Sequence, residues 1–119
     1  MIAPTLTIFH NPRCSKSRQT LQLLQDNNHT PTVIEYLKTP PSLVTLKRLH
    51  QQLAGDARAM MRTKDALYKT LNLKDDTLSQ EALLNAIHSN PALLERPIVF
   101  DETRAVIARP PENVLELLK

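Results

Sequence analysis

The chain has 119 residues, with a single glycine, a single cysteine and a formal net charge of +3. One glycine excludes the dinucleotide-binding and Walker phosphate-binding loops, because each needs at least two glycines. One cysteine excludes an intrachain disulfide and a C-x-x-C redox pair. Aromatic residues make up only 3% of the chain and the basic residues are scattered, so we expect no nucleic-acid partner.

The length predicts one domain over residues 1–119, and a monomer is the default expectation. The sequence contains no apolar run long enough to cross a membrane, and its start lacks the basic region of a secretory signal. We therefore expect a cytoplasmic protein without membrane contact, whose cysteine is reduced at rest.

The first elements in chain order predict a βαβ unit. Residues 5–9 alternate and are β-branched, which is typical of a strand, and residues 10–13 end it. From Cys14 the pattern changes to that of an amphipathic helix, which ends near Asn27 and Asn28. Residues 32–37 predict a second strand, and a strand–helix–strand order favours parallel pairing.

The middle of the chain predicts helices and no strand. Ser42 is a predicted N-cap, and the helix that follows carries leucines on one face until Gly55 ends it. Shorter helices are predicted over residues 57–61, 66–71 and 80–87, the last capped by Thr77 or Ser79.

Strand character returns towards the C-terminus. Residues 98–100 and 104–107 predict a hairpin around a turn at Asp101 and Glu102, and a last helix is predicted over residues 113–118. The sum is an α/β fold with a mixed four-stranded sheet, βαβ then ββα, and a helical insertion at about residues 42–94.

Cys14 stands where a strand passes into a helix. The unpaired N–H groups and the positive dipole end at that point favour a thiolate, and the pKa of a thiol there can fall well below its usual value of about 8.5. The surrounding loop supplies basic and hydroxyl side chains, namely Arg13, Ser15, Lys16, Ser17 and Arg18. A thiolate beside an anion-binding loop suits attack on an oxyanion.

The residues around Cys14 allow other interpretations. A lone cysteine is commonly a small buried apolar residue, but the polar and basic neighbours of Cys14 favour a nucleophile. His10 is either a structural histidine or one that tunes the thiol, and the residues leave both open. The tyrosine phosphatase loop His-Cys-x5-Arg does not fit, because Arg13 precedes Cys14 and Thr20 stands where the arginine would be.

The run HNPRCSKSR at residues 10–18 resembles the glutaredoxin-coupled arsenate reductase family. Four further segments resemble the same family in order: residues 34–41 (IEYLKTPP), 60–62 (MMR), 94–99 (LERPIV) and 107–111 (IARPP). The resemblance runs over nearly the whole chain. It implies a thioredoxin-like fold with a helical insertion, which agrees with the predicted order of elements.

The resemblance also implies roles for individual residues. Cys14 would be the nucleophile that attacks arsenate, and His10 would activate or place its thiol. The three arginines that bind the oxyanion in the family match Arg62, Arg96 and Arg109. The residues of the supporting loop are Asn11, Ser15, Ser17 and Arg18. Arg96-Pro97 resembles the cis-proline position of thioredoxin folds, so we predict that Pro97 is cis.

External thiols complete the reaction that the resemblance implies. Glutathione displaces the arsenylated cysteine, glutaredoxin reduces the mixed disulfide, and arsenite is released, without a bound cofactor or metal. A chain with one cysteine cannot resolve its own intermediate, so an external thiol is chemically required. The expected partners are therefore arsenate, glutathione and glutaredoxin.

The active loop departs from the family at one place. Ser15-Lys16 stands where well-studied members often carry Gly-Thr, which makes the backbone less free and adds a cation near the anion. The C-S-K-S-R form resembles a housekeeping branch with modest arsenate activity.

Two other functions stay open beside arsenate reduction. A glutathione-dependent thiol reductase, or deglutathionylase, would need the reactive thiol but not the arginines. A transcription-regulator-like binding module that contacts RNA polymerase would use a C-x-x-C switch, and Ser17 stands at its second position.

Overall fold

The computed structural model describes residues 5–95 and 97–118. The chain divides into two compact units, one made of Met1–Thr39 and Arg96–Lys119 and the other of Pro40–Glu95. The second unit has nearly the boundaries of the helical insertion expected at residues 42–94. A single domain over the whole chain stays a prediction. No helix within the described ranges is long and apolar enough to span a membrane.

The first unit is built on a four-stranded sheet in the order β2-β1-β3-β4. Its strands are β1 (Thr7–His10), β2 (Thr32–Glu35), β3 (Ile98–Phe100) and β4 (Ala105–Ile107). β1 is parallel to β2 and antiparallel to β3, which in turn is antiparallel to β4. The predicted mixed sheet, βαβ then ββα, is therefore confirmed.

The strand directions bring several loops to one edge of this sheet. β1, β2 and β4 all run the same way, so their carboxyl ends lie on one edge together with the amino end of β3. His10 is paired with Glu35 across β1 and β2, and Ile98 is paired with Ile107 across β3 and β4. We call this side of the sheet the carboxyl edge. Polar loops that follow strands at such an edge are well placed to form a site.

One helix and one 3-10 helix cover a face of the sheet. Helix α1 (Ser15–Asp26) and the 3-10 helix Pro111–Leu118 contribute to a buried cluster of apolar side chains. Its members are Leu6, Ile8, Leu24, Val99, Ala108, Val114 and Leu117. Because side chains alternate along a strand, the ring of Phe9 lies on the opposite face, at centroid distances of 5.0 Å from Phe100 and 6.4 Å from Tyr36.

The second unit is made of short helices. These are α2 (Leu43–Leu53), α3 (Ala66–Thr70), α4 (Gln80–Ser89) and the 3-10 helices Ala57–Met60 and Pro91–Leu93. Ser42 and Ser79 are the N-caps of α2 and α4, and each side-chain oxygen accepts a backbone N–H, from Thr45 at 3.1 Å and from Ala82 at 3.0 Å. Thr77 is not the cap, because its own N–H and hydroxyl are bonded to Asp75.

Several sequence predictions of element type and boundary were wrong. His10 belongs to β1, since its pairing with Glu35 extends the strand to the residue that was expected to end it. Residues 57–60 and 111–118 form 3-10 helices, a form common in short pieces that lack a long run of α-helical hydrogen bonds. An isolated bridge between Met61 and Leu94 interrupts the region expected to hold helices alone.

The turns follow the expected residues with small shifts. Gly55 has the positive φ of +78° that favours glycine, but Ala54 also has a positive φ, of +60°, so α2 ends before both. At the hairpin, Asp101 Oδ1 accepts the N–H groups of Thr103 and Arg104, both at 2.8 Å, and β4 therefore starts only at Ala105. A cis peptide bond joins Arg109 to Pro110. The predicted cis bond before Pro97 involves Arg96, which lies outside the described residues.

Candidate active site

Cys14 is the N-cap residue of α1, as the change of pattern in the sequence predicted. Its backbone is extended, with φ −94° and ψ 122°. Its N–H donates to the carbonyl of Asn11 at 3.0 Å, and its carbonyl accepts the N–H of Arg18 at 3.0 Å. The first turn of α1 contains no acidic residue, so the positive end of the helix dipole is not compensated there. This position favours negative charge on the half-buried side chain.

Ser17 connects the loop to the first turn of α1. Its side chain is fully buried, and its Oγ accepts the backbone N–H of Asn11 at 3.1 Å. The same Oγ lies 2.6 Å from Nδ1 of His10. A serine hydroxyl offers one proton, which can be donated to Nδ1 of a neutral imidazole whose own proton is then on Nε2. The sequence predicted Ser17 only as a loop hydroxyl, without this connection.

Burial lowers the pKa of His10 below its usual value near 6.5, and the charge of Arg18 lowers it further, while Glu35 acts in the opposite direction. His10 is 7% exposed, which accords with desolvation as the largest cause. The imidazole is therefore neutral at pH 7. A neutral imidazole can accept a proton, so a histidine in this state can serve as a base or as a positioning group.

Two more side chains brace the loop between β1 and α1. Asn11 is buried, and its Oδ1 accepts the backbone N–H of Arg13 at 3.0 Å. Arg18 donates through Nη1 to the carbonyl of Pro12 at 2.8 Å. The loop is thus held from inside by Ser17 and Asn11 and from outside by Arg18. A site whose backbone is fixed before ligand binding loses less entropy on binding.

The remaining site residues are spread over the chain. Arg109 follows β4 and stands at the carboxyl edge, exposed, with its carbonyl accepting from Asn113 Nδ2 at 3.1 Å. Arg62 belongs to the second unit, where its N–H donates to Leu93 at 2.8 Å and its Nη1 lies 3.5 Å from a carboxylate oxygen of Asp65. Arg96 lies outside the described residues, and Ser15 is the exposed first residue of α1.

The structure therefore brings together the loop residues of the predicted site, with Arg109 at the same edge of the sheet. His10, Asn11, Cys14, Ser17 and Arg18 form one hydrogen-bonded group. Among the residues described, no cluster of three or more histidine, cysteine or acidic side chains could hold a metal ion.

A groove beside this loop was not predicted. It has a volume of about 470 Å³ and is lined by His10, Asn11, Pro12, Arg13, Glu35, Leu37 and Lys38. Its two walls are the loop after β1 and the segment that ends β2, which the pairing of His10 with Glu35 holds side by side. The match of residues 34–41 to the family was the available signal, but it did not indicate a groove.

The chain was compared with protein families, with curated proteins and with solved structures. The model of the ArsC family matches residues 9–117. An uncharacterised Escherichia coli protein, YfgD, is 54% identical over 112 residues, covering 93% of this chain and 94% of that protein. A Neisseria meningitidis protein named arsenate reductase is 50% identical over 116 residues, covering 97% of this chain and 99% of that protein.

A solved structure agrees in fold as well as in sequence. The structure titled arsenate reductase from Vibrio cholerae is 53% identical to this chain, with a TM-score of 0.92. The match covers 97% of this chain and 98% of the Vibrio cholerae chain. The match extends over both compact units. The chain belongs to the ArsC family and has its thioredoxin-like fold.

Proposed function

We propose that this protein is an arsenate reductase that uses glutathione as its reductant and glutaredoxin to regenerate its thiol. The observation that carries the proposal is the position of Cys14 at the start of α1, in a loop braced by Ser17 and Asn11. A relative named arsenate reductase matches 97% of the chain that contains this loop. We infer a cytoplasmic location, since both thiol partners belong to a reducing compartment. A monomer without a bound cofactor stays a prediction.

The first step is attack of the Cys14 thiolate on arsenic(V). An S–As bond forms, and an oxygen of arsenate leaves as water after protonation. The helix dipole and the basic side chains of the loop stabilise the thiolate and the oxyanion. Neutral His10 positions the loop that carries the thiol when its Nδ1, 2.6 Å from Ser17 Oγ, accepts the serine proton. It takes up the thiol proton in the other tautomer, in which Nδ1–H donates to Ser17 and Nε2 is the acceptor. Arg109 at the carboxyl edge is a proposed ligand of the oxyanion, and Arg62 and Arg96 stay predictions from the family resemblance.

The second step reduces the arsenic. The thiolate of glutathione attacks Sγ of Cys14, the S–As bond breaks, and its electron pair remains on arsenic, which leaves as arsenite. Two thiols have then become one disulfide while arsenic has gained two electrons. Glutaredoxin attacks the glutathione sulfur of that disulfide and restores the Cys14 thiolate. With a single cysteine in the chain, no internal thiol competes in this step.

The test is arsenite production with glutathione and glutaredoxin, measured for the unmodified chain and for Cys14→Ser. We expect turnover that depends on both thiol partners and that is lost in the variant. Mass spectrometry of the protein trapped without glutaredoxin should show one added glutathione. Arsenite production that survives Cys14→Ser would falsify the proposal.

Arg109→Ala separates arsenate reduction from the thiol reductase alternative. Loss of a charged donor to an oxyanion reduces turnover by about 10²-fold in comparable sites. We expect such a loss for arsenate, while removal of glutathione from a glutathionylated peptide changes little. If both activities fall together, Arg109 is not a specific ligand of the oxyanion.

A further inference from the structure

We propose that the groove beside the Cys14 loop is the binding site for glutathione, whose carboxylates are bound by Arg13 and Lys38 and whose ammonium is bound by Glu35. This inference rests on the proposed function, in which an external thiol attacks the arsenylated cysteine. The inference names the place on this chain where that thiol binds and the residues that bind it.

The position of the groove suits a thiol that must reach Cys14. One wall is the loop from His10 to Arg13, the residue directly before Cys14. The other wall is the end of β2 with Glu35, Leu37 and Lys38, which starts beside His10 in the sheet. A tripeptide lying between these walls would contact the residue that directly precedes Cys14.

The size of the groove exceeds what arsenate needs. Its volume of about 470 Å³ lies within the range of about 300–1,000 Å³ that is usual for small-molecule sites. A tetrahedral oxyanion with four oxygens fills only a small part of that volume. The remaining space is therefore available to a second, larger ligand at the same edge of the sheet.

The charges in the groove are complementary to those of glutathione. At pH 7 glutathione carries two carboxylates and one ammonium, whereas the groove carries the cations of Arg13 and Lys38 and the carboxylate of Glu35. His10 adds no charge, because burial keeps its imidazole neutral. The net charges of groove and ligand are thus opposite, and the number of charges of each sign matches.

The charged groups are also accessible to a ligand. Lys38 Nζ lies 3.5 Å from Glu35 Oε1, and the two side chains are 78% and 40% exposed. An exposed ion pair of this kind is weak, so a carboxylate and an ammonium can replace it with little loss. Leu37 is 49% exposed and Pro12 is exposed, which provides an apolar surface for the methylene groups of the peptide.

The experiment measures binding of S-methylglutathione to the Cys14→Ser protein, so that neither partner can exchange thiols. Calorimetry gives the Kd, and amide NMR shifts locate the site. Neutralising one exposed ion pair changes affinity by about two- to fivefold, so we expect about tenfold weaker binding for Arg13→Gln combined with Lys38→Gln. Lys47→Gln is the control, because Lys47 is also a solvent-accessible lysine paired with a glutamate, but it lies on α2 outside the groove and should leave the Kd unchanged.

The outcomes separate this inference from the proposed function. Shifts confined to the groove and a weaker Kd in the double variant support the site, even if the unmodified chain fails to reduce arsenate. Absence of binding, shifts elsewhere, or an equal loss in Lys47→Gln overturns it.

In the turnover assay, Lys38→Gln should raise the KM for glutathione about threefold and leave the KM for arsenate unchanged. If the KM for glutathione is the same in Lys38→Gln and in the unmodified chain while arsenate is still reduced, the groove is not the glutathione site, but the proposed reductase activity stands.

Discussion

Two arginine-containing segments, one in each compact unit, use their cations in different ways. In the second unit, Arg58 donates to the carbonyls of Leu73 at 2.8 Å and Asp75 at 2.7 Å and forms an ion pair with Asp56 at 3.0 Å. Its side chain is only 20% exposed. In the first unit, the side chains of Arg13 and Lys16 are exposed beside Cys14, while the buried bonds of that loop are made by neutral groups.

The difference separates a cation that is used by the fold from cations that we propose for a ligand. Arg58 uses its guanidinium to join its own segment to the backbone carbonyls of Leu73 and Asp75, and its backbone N–H is the main cause of the lowered pKa of Asp56. Ser17 and Asn11 instead hold the inside of the Cys14 loop and Arg18 braces its outside, while the exposed side chains of Arg13 and Lys16 remain available for an anion. Sequence alone does not distinguish these cases, since the sequence around each arginine does not show which groups its guanidinium contacts in the fold.

The largest effect that tests this comparison is expected from Arg58→Ala. The substitution removes the donors of two carbonyls and a partly buried ion pair, so the free energy of unfolding should fall by about 2–3 kcal/mol. Arg13→Ala is the matched control and should change it by less than about 0.5 kcal/mol. Urea denaturation followed by circular dichroism measures both. Equal losses would contradict the division into structural and ligand-facing arginines.

A smaller effect is expected from Ser17→Ala. The N–H of Asn11 and Nδ1 of His10 would lose a buried partner, which costs about 1–2 kcal/mol of unfolding free energy. Ser15 lies two residues earlier and is exposed, so Ser15→Ala should lower the free energy of unfolding by less than about 0.5 kcal/mol. The rate of Cys14 alkylation by iodoacetamide should also change more in Ser17→Ala than in Ser15→Ala. If the two variants behave alike, the bond between His10 and Ser17 does not organise the loop.

The smallest effect concerns pH. Because burial lowers the pKa of His10 in the folded chain, the unfolded chain binds the proton more readily below about pH 6.5. The free energy of unfolding should therefore fall as pH is lowered from 6.5 towards the folded-state pKa. The lowered pKa values of Asp56, Asp75 and Asp101 act at more acidic pH, below the usual carboxylate range. Between pH 5 and 7, the free energy of unfolding should change less steeply with pH in His10→Gln than in the unmodified chain. An unchanged slope would assign the pH dependence to other groups.

Local patterns predicted most of the elements. Spacing of leucines predicted α2, alternating β-branched residues predicted β1, Ser42 was predicted as a cap, and Ser79 was one of two candidate caps. The position of the candidate nucleophile was also predicted locally, since a helix start at Cys14 depends only on residues 5 to 26. Element bounds shifted where long-range pairing acts, as at His10, which β2 holds in the sheet.

The sequence by itself determined the fold class, the family and the position of the single cysteine, because these depend on periodicity, motif and composition. Tertiary structure decided the order of the strands, the contact of Ser17 with His10 and the groove between the loop and the end of β2. Each of these joins residues through folding rather than through spacing. His10 and Glu35 are neighbours only because parallel pairing sets their register, and no pattern along one segment contains that information.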